Sequence, residues 1–558
     1  MKRLITLAGF ILLFNTIASA QVQRMLLAEG FTSTTCPPCA TQNPAFDALL
    51  KANEDKITSI KYHMNWPSPG NDPMYHHNPV DNGARRTYYN VNAVPQVVIN
   101  GNLHTGQPNS VNQNLLNNWS AGQPAFDIRM QHRLSVNNDS VYVIMMIRAL
   151  QDVSGTLVAQ IAVIEKEIKF TTAPGSNGEK DFYNVMKALI PSRNGTALPN
   201  FLAGEYVIVE AAWKMANVYN INQIAAVGFV QNNVNKQVFQ AANSTADAMQ
   251  PFYATDAAIK RITDGTAINC SGKMQPKATL VNYGSTTLTS AVIDFKVNGQ
   301  LVHSVTWTGN LNFLQSAEVD AGQIDFSLLA TNSLQVEISS VNGGIDEYVA
   351  NNSKVFNFTQ SPNLTGNVTL FILLNNKPWE TTWQLTNSAG EIVQSGGPYI
   401  NPNTTQSIPL NLSGTDCYEF VIFDEGGNGL CCGDGLGYYA VLNSAGTPLF
   451  TGQSFGYSER NQLMYGYVGL PENTELSVVM YPNPAKDHFN LDMYLQSTTD
   501  ITVEVFETTG KRILAKTYDQ VPAGFHQSHI ALPSQKKGLY LVNVRTNDST
   551  RTFKLKVD

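Results

Sequence analysis

The feature that most constrains this chain is a pair of cysteines split by two prolines, Cys36-Pro37-Pro38-Cys39. An apolar, strand-like run, Leu26-Leu27-Ala28-Glu29-Gly30-Phe31, leads into it, and a helix-like run over residues 43–50 leads out. Two thiols at the mouth of a helix can open and close as a disulfide. Cys36 takes the cap position, where backbone amides and the helix dipole favour a thiolate, and is the expected attacking sulfur. Cys39 lies one turn in and is expected to resolve the mixed disulfide. Pro37 and Pro38 fall at the first helical positions, where a missing N–H costs least. Each also removes an amide that could face the thiolate, so only moderate acidification of Cys36 is expected.

Around this site the pattern alternates. Strands are expected over 23–29, 57–63 and 94–101, and helices over 37–53, 81–90 and 111–120, with a Pro- and Gly-containing loop over 65–78. The third strand is entered through Pro95 and left through the Asn100-Gly101 turn. Strands alternating with helices predict an α/β unit over 21–122. This order resembles the thioredoxin fold, on the strength of the CxxC between strand and helix and of Val94-Pro95 before an apolar strand. The resemblance implies a cis Pro95 lying against the cysteines and gives Glu29 the role of a buried carboxylate that relays a proton. It departs from that family at Thr35, where the family usually carries Trp. Glu29-Gly30-Phe31-Thr32, Gln42-Asn43-Pro44-Ala45-Phe46, Asp72-Pro73-Met74-Tyr75 and Arg85-Arg86-Thr87-Tyr88-Tyr89 are similar to the thioredoxin-like half of the twenty-eight-kilodalton outer-membrane-protein (Omp) family. That likeness covers roughly residues 21–245 and implies a surface or outer-membrane association. His63, His76 and His77 do not have the spacing of a metal motif.

At 558 residues the chain is too long for one core, and about four or five domains are expected. Charged residues make up 14% and the net charge is −7, with no basic stripe, which argues against a nucleic-acid partner. Lys2 and Arg3, a short apolar run over 4–14 and Ala18-Ser19-Ala20 predict a signal peptide over 1–20. After residue 122 short strands and turn signals predict all-β sandwiches. The expected divisions are 123–248, a β-sandwich of the Omp-like family; 249–360, immunoglobulin-like; 361–470, a Gly/Cys-rich jelly-roll-like module; and 471–558. Residues 181–190 are expected to form a short helix or turn.

The Gly/Cys-rich module carries Asp424-Glu425-Gly426-Gly427-Asn428-Gly429-Leu430-Cys431-Cys432-Gly433-Asp434. The oxygens of Asp424, Asn428 and Asp434 could converge on calcium, the one candidate cofactor, although the spacing is not that of an EF-hand. Besides the Cys36–Cys39 pair, Cys417 is expected to bond with Cys431 or Cys432. Closing a loop of about 15 residues in this way stabilises by roughly 3 kcal/mol. Cys270 and the remaining vicinal cysteine are left to bond across modules or stay free.

The end of the chain, with Tyr481-Pro482-Asn483-Pro484-Ala485, Gly538-Leu539-Tyr540 and Phe553-Lys554-Leu555-Lys556-Val557, closely resembles the type A C-terminal sorting domain of type IX secretion. The resemblance implies the type IX machinery as partner, then release or attachment to surface lipopolysaccharide. The combined expectation is an exported multidomain protein: an N-terminal α/β thioredoxin-like fold, then several all-β sandwich domains. Its redox site would act on protein thiols or disulfides. The alternative is a non-catalytic adhesin whose CPPC is a structural disulfide.

Overall fold

The computed structural model describes residues 22–68, 70–466, 477–495, 497–532, 537–547 and 550–557. The expected signal peptide lies outside the described residues. The chain is multidomain and mostly β.

The N-terminal half is built on one large sheet. In chain order its elements are β1 (Leu26–Thr32), α1 (Pro37–Lys51), β2 (Ile57–His63), α2 (Pro73–His77), α3 (Pro79–Tyr89), β3 (Gln96–Ile99), β4 (His104–Gly106) and α4 (Gln113–Trp119). Then come β5 (Phe126–Leu134), β6 (Ser140–Ala149), β7 (Leu157–Lys169), β8 (Asp181–Ile190), β9 (Thr196–Ala197), β10 (Tyr206–Lys214), β11 (Ile224–Asn232) and β12 (Val238–Asn243). The strands run β12-β11-β7-β8-β2-β1-β3-β4, with β9 added at β7. β1 pairs with β2 in parallel and with β3 antiparallel. The expected division at residue 122 therefore falls inside one sheet, because β2 is flanked by β8 from the following segment.

Residues 181–190 are strand β8 and not the expected helix or turn. The reason is burial on both faces. Val185, Met186, Ala188, Leu189 and Ile190 are all buried, and Lys187 is buried among them, so the segment lacks the alternation of a half-buried strand. Alternation survives in what each strand faces. Ile161 and Val163 of β7, with Ile224 and Ala226 of β11, pack against the three-stranded sheet β10-β6-β5. Ala162, Ile164, Ala225 and Val227 turn the other way, toward Phe31, Tyr62 and Val98. On the remaining face of β1, Leu26 and Ala28 meet Phe46 and Leu50 of α1.

Beyond residue 250 three further cores follow, Ala257 to Phe358, Leu364 to Leu463 and Val478 to Val557, each between two larger sheets, the first with a further two-stranded sheet that contributes Met274 and Ile324. These are β-sandwiches. Cys417 does not bond to Cys431 or Cys432. It bonds to Cys270, 147 residues away, and Cys431 bonds to Cys432. The cause is a strand junction. Residues 268–270 run beside the strand Ser458–Tyr465, where Ile268 N–H donates to Asn461 Oδ1 and Cys270 N–H to Gln462 Oε1. That strand pairs with Asp416–Asp424 and sets Cys417 opposite Met464. Two sandwiches are thus joined covalently.

Candidate functional site

The CPPC segment leaves β1 through Ser33-Thr34-Thr35 and enters α1 at Cys36. Cys36 is the N-cap, with extended backbone, and Pro37 and Pro38 occupy the first helical turn. The Cys39 N–H points at Cys36 Sγ, 3.1 Å away, so one orphan amide of the helix start is directed at that sulfur. Cys36 Sγ also lies 3.5 Å from the carbonyl oxygen of Val94. Val94–Pro95 is a cis bond, and Pro95 is buried at the start of β3. The two cysteines form a disulfide.

Both sulfur-bearing residues are buried, Cys36 at 1% exposure and Cys39 at 0%, while Pro37 and Pro38 are exposed. Part of the cover comes from the hairpin between β7 and β8. Asn177 N–H donates to Thr34 O at 3.0 Å, and Asn177 Nδ2 donates to Ser33 O at 3.0 Å and to Cys36 O at 3.3 Å. Gly175 sits so close to Thr34 that a Cβ there would strike its backbone oxygen. From the other side Thr35 Oγ1 donates to the Trp66 carbonyl at 3.0 Å.

Glu29 is not beside the cysteines. It shares the face of β1 with Leu27 and Phe31, opposite the face that packs on α1. There it is fully buried and bound to Arg85 Nη2 at 2.6 Å and Nε at 2.8 Å, Tyr62 Oη at 3.1 Å and Tyr89 Oη at 2.6 Å. These bonds make it a structural anion that anchors α3 to the sheet.

The carboxyl that does approach the CPPC helix is Glu179. Its Oε1 accepts from Asn43 Nδ2 at 2.9 Å and its Oε2 from Asn177 Nδ2 at 2.6 Å. Asn43 lies one helical turn beyond Cys39. Burial pushes the Glu179 carboxyl up, against the opposing effect of the bonds from Asn43 and Asn177. Glu179 also borders a groove of about 1120 Å³ that runs along α1 past Ala40, Pro44, Asp47 and Tyr183. On the opposite flank of residues 33–36, Asp72 Oδ2 accepts from Thr34 N–H and meets His63 Nδ1, each at 2.8 Å. Burial works to raise the Asp72 carboxyl, but His63 and the bonds from His63, Thr34 and Tyr75 hold it below its usual value.

The structure thus brings Cys36, Cys39 and Pro95 together and sends Glu29 elsewhere. Sequence reasoning missed Glu179 and Asn177, which no local signal marks, since they reach the helix from about 140 residues away. In the Gly/Cys-rich loop Asp434 Oδ2 is already held by Asn428 Nδ2 at 2.7 Å and Lys377 Nζ at 3.0 Å.

Residues 479–558 match the family model described as a secretion system C-terminal sorting domain. No curated protein matches the chain. Among solved structures, HBP35 of Porphyromonas gingivalis is similar over 61% of this chain and 99% of its own, at 13% identity and a TM-score of 0.33. Protein AGR_C_4864 from Agrobacterium tumefaciens is similar over 41% and 98%, at 16% identity and a TM-score of 0.29. Dimeric latent PorU from Porphyromonas gingivalis is similar over 86% and 37%, at 11% identity and a TM-score of 0.15. The C-terminal segment is a type IX secretion sorting domain, which implies export through that machinery to the cell surface or the medium.

Proposed function

We propose that the chain is a type IX-delivered surface or secreted protein whose N-terminal module, thioredoxin-like and related to the Omp family, performs thiol–disulfide exchange at Cys36 and Cys39. The observation that carries this reading is the cap geometry: Cys36 Sγ receives the Cys39 N–H at the start of α1 and faces Val94-Pro95. The parallel β1–β2 pair, the antiparallel β1–β3 pair and the helix between β1 and β2 support the thioredoxin-like assignment.

One turnover begins from the oxidised pair. A thiolate of a protein dithiol attacks Cys36 Sγ, a mixed disulfide forms, and the Cys36–Cys39 bond breaks with Cys39 leaving as a thiolate. The second substrate thiolate attacks the substrate sulfur of that mixed disulfide and releases Cys36. The substrate loses two electrons and two protons, and the cysteine pair gains both. Glu179, bonded to Asn43 one turn beyond Cys39 and with its carboxyl pushed up by burial, is the residue proposed to hold a proton for the leaving Cys39. The exposed prolines and the groove along α1 form the surface a protein substrate would meet. Surface lipopolysaccharide is the proposed attachment point once sorting is complete.

The burial of both sulfurs favours a second reading, in which the disulfide is purely structural and the protein is a binder or adhesin. Single-turnover oxidation of a dithiol peptide by the mature chain separates the two. The exchange reading expects stoichiometric oxidation, loss of it in Cys36→Ser, and a stable mixed disulfide in Cys39→Ser. Failure of the wild-type chain to oxidise the peptide, with its disulfide intact throughout, rules exchange out.

A further inference from the structure

The strand ends beside the Cys431–Cys432 loop present a second site. Strand Thr381–Thr386 pairs with strand Asp416–Asp424, and Thr381 stands directly opposite Asp424. Directly opposed residues project to the same face of a sheet, so these two side chains are neighbours. Asp424 is 2% exposed and Thr381 is 0% exposed. Asp424 Oδ2 is occupied, accepting from the N–H groups of Asn428 at 2.9 Å and Gly429 at 3.1 Å. Its Oδ1 has no partner, and neither has Thr381 Oγ1.

Two more buried oxygens without partners lie at the same place, Asn428 Oδ1 and Glu380 Oε2. Asn428 is seated over Asp424 by its own N–H. Glu380 precedes Thr381, and its carbonyl accepts the Glu425 N–H at 3.0 Å. Its carboxylate closes against Gly426, where a Cβ would collide with Oε2. Of the seven buried side-chain oxygens without partners among the described residues, four are gathered at this loop. Buried acceptors are normally satisfied, and a lone buried carboxylate oxygen is costly.

We propose that Glu380 Oε2, Thr381 Oγ1, Asp424 Oδ1 and Asn428 Oδ1 hold a calcium ion. The donor set is all oxygen, mixes two carboxylates with an amide and a hydroxyl, and carries two negative charges against the ion's two positive ones, which suits a hard divalent cation. Asp434 is not a ligand here. Its Oδ2 is taken by Asn428 Nδ2 and Lys377 Nζ, and it orients the Asn428 amide so that the oxygen is left for the ion. Lys377 Nζ also touches Glu380 Oε1 at 3.4 Å, which leaves Oε2 as the free donor.

The test is isothermal titration of the mature chain with calcium chloride, and separately with magnesium chloride. The expected result is one calcium per chain with a Kd on the order of 10⁻⁴–10⁻³ M, the range of extracellular calcium modules. Asp424→Asn and Glu380→Gln should each weaken it at least about tenfold. No calcium uptake up to about 10 mM, well above that range, overturns the site, as does wild-type affinity in both variants. Equal affinity for magnesium overturns the assignment to calcium. If circular dichroism shows Asp424→Asn unfolded, Glu380→Gln, at a side chain 13% exposed, decides alone.

Discussion

Asn43 Nδ2 donates to Glu179 Oε1 across 2.9 Å, and this bond ties the CPPC helix to a hairpin 136 residues further along the chain. It places the one carboxyl with a raised pKa near the cysteines on an element that also covers them. The position of this carboxyl and the cover over the disulfide are therefore set by the same short loop.

Glu179→Gln removes a group that can take or give a proton near Cys39. Single-turnover exchange is expected to slow by about 10²-fold, the lower range for acid–base assistance. The contribution of Glu179 to the wild-type rate should fall as pH rises through its raised pKa, because the carboxyl then has no proton to give the leaving Cys39, and the variant should lack that fall. Stopped-flow exchange over a pH series is the measurement.

Asn177→Ala deletes the bonds to Ser33 and Cys36 that hold the covering hairpin down. Each such bond contributes about 1 kcal/mol, so reduction of the disulfide by a small dithiol should quicken by up to roughly thirtyfold. An unchanged rate would mean that the hairpin does not limit access.

Glu29→Gln tests the structural role assigned to that residue. It leaves the Arg85 guanidinium buried without its counter-charge, and a loss of about 3–5 kcal/mol in the N-terminal module is expected from urea unfolding. The exchange rate per folded molecule should stay at the wild-type value. A selective loss of exchange with stability intact would restore the proton-relay role.

Asp256 supplies a pH dependence at the joint between β10 and the following sandwich. It accepts from Tyr206 Oη at 2.6 Å and Asn351 Nδ2 at 2.9 Å, and burial lifts its carboxyl from the usual 3.8 to about 6. The folded pKa lies above the unfolded one, so the stabilisation belongs to the protonated form. It is fully present below pH 3.8 and is lost as pH rises through about 6. At neutral pH the joint should be weaker by up to roughly 3 kcal/mol, visible as a falling Tm between those limits.

Replacing Cys270 and Cys417 together by serine cuts the bond between two sandwiches. The loop it closes spans 147 residues, for which chain entropy alone gives about 5 kcal/mol. Calorimetry should show one transition of the wild-type chain splitting into two.

Much of the N-terminal half was legible because its signals are local. Alternating and punctuated runs mark β2 and α3, and Asn100-Gly101 marks the turn after β3, with Asn100 at φ 45° and Gly101 at φ 76°. The sorting domain was legible from its quoted motifs. β8 was not, because a strand buried on both faces loses the period of two. The cysteine pairing was not, because Cys270 meets Cys417 through strand neighbours that nothing local announces. Glu29 is buried as expected, but its direction was not legible: only its alternation with Leu26 and Ala28 shows that it points away from α1.

The placement of β8 beside β2 also sets how small this N-terminal module can be made. A fragment ending at residue 122 would lack Asn177 and Glu179 and would leave β2 with a bare edge, ready to pair with another copy. A piece that keeps the whole sheet must reach at least the end of β12 at Asn243, so any exchange of this module between proteins must carry both segments as one inheritance.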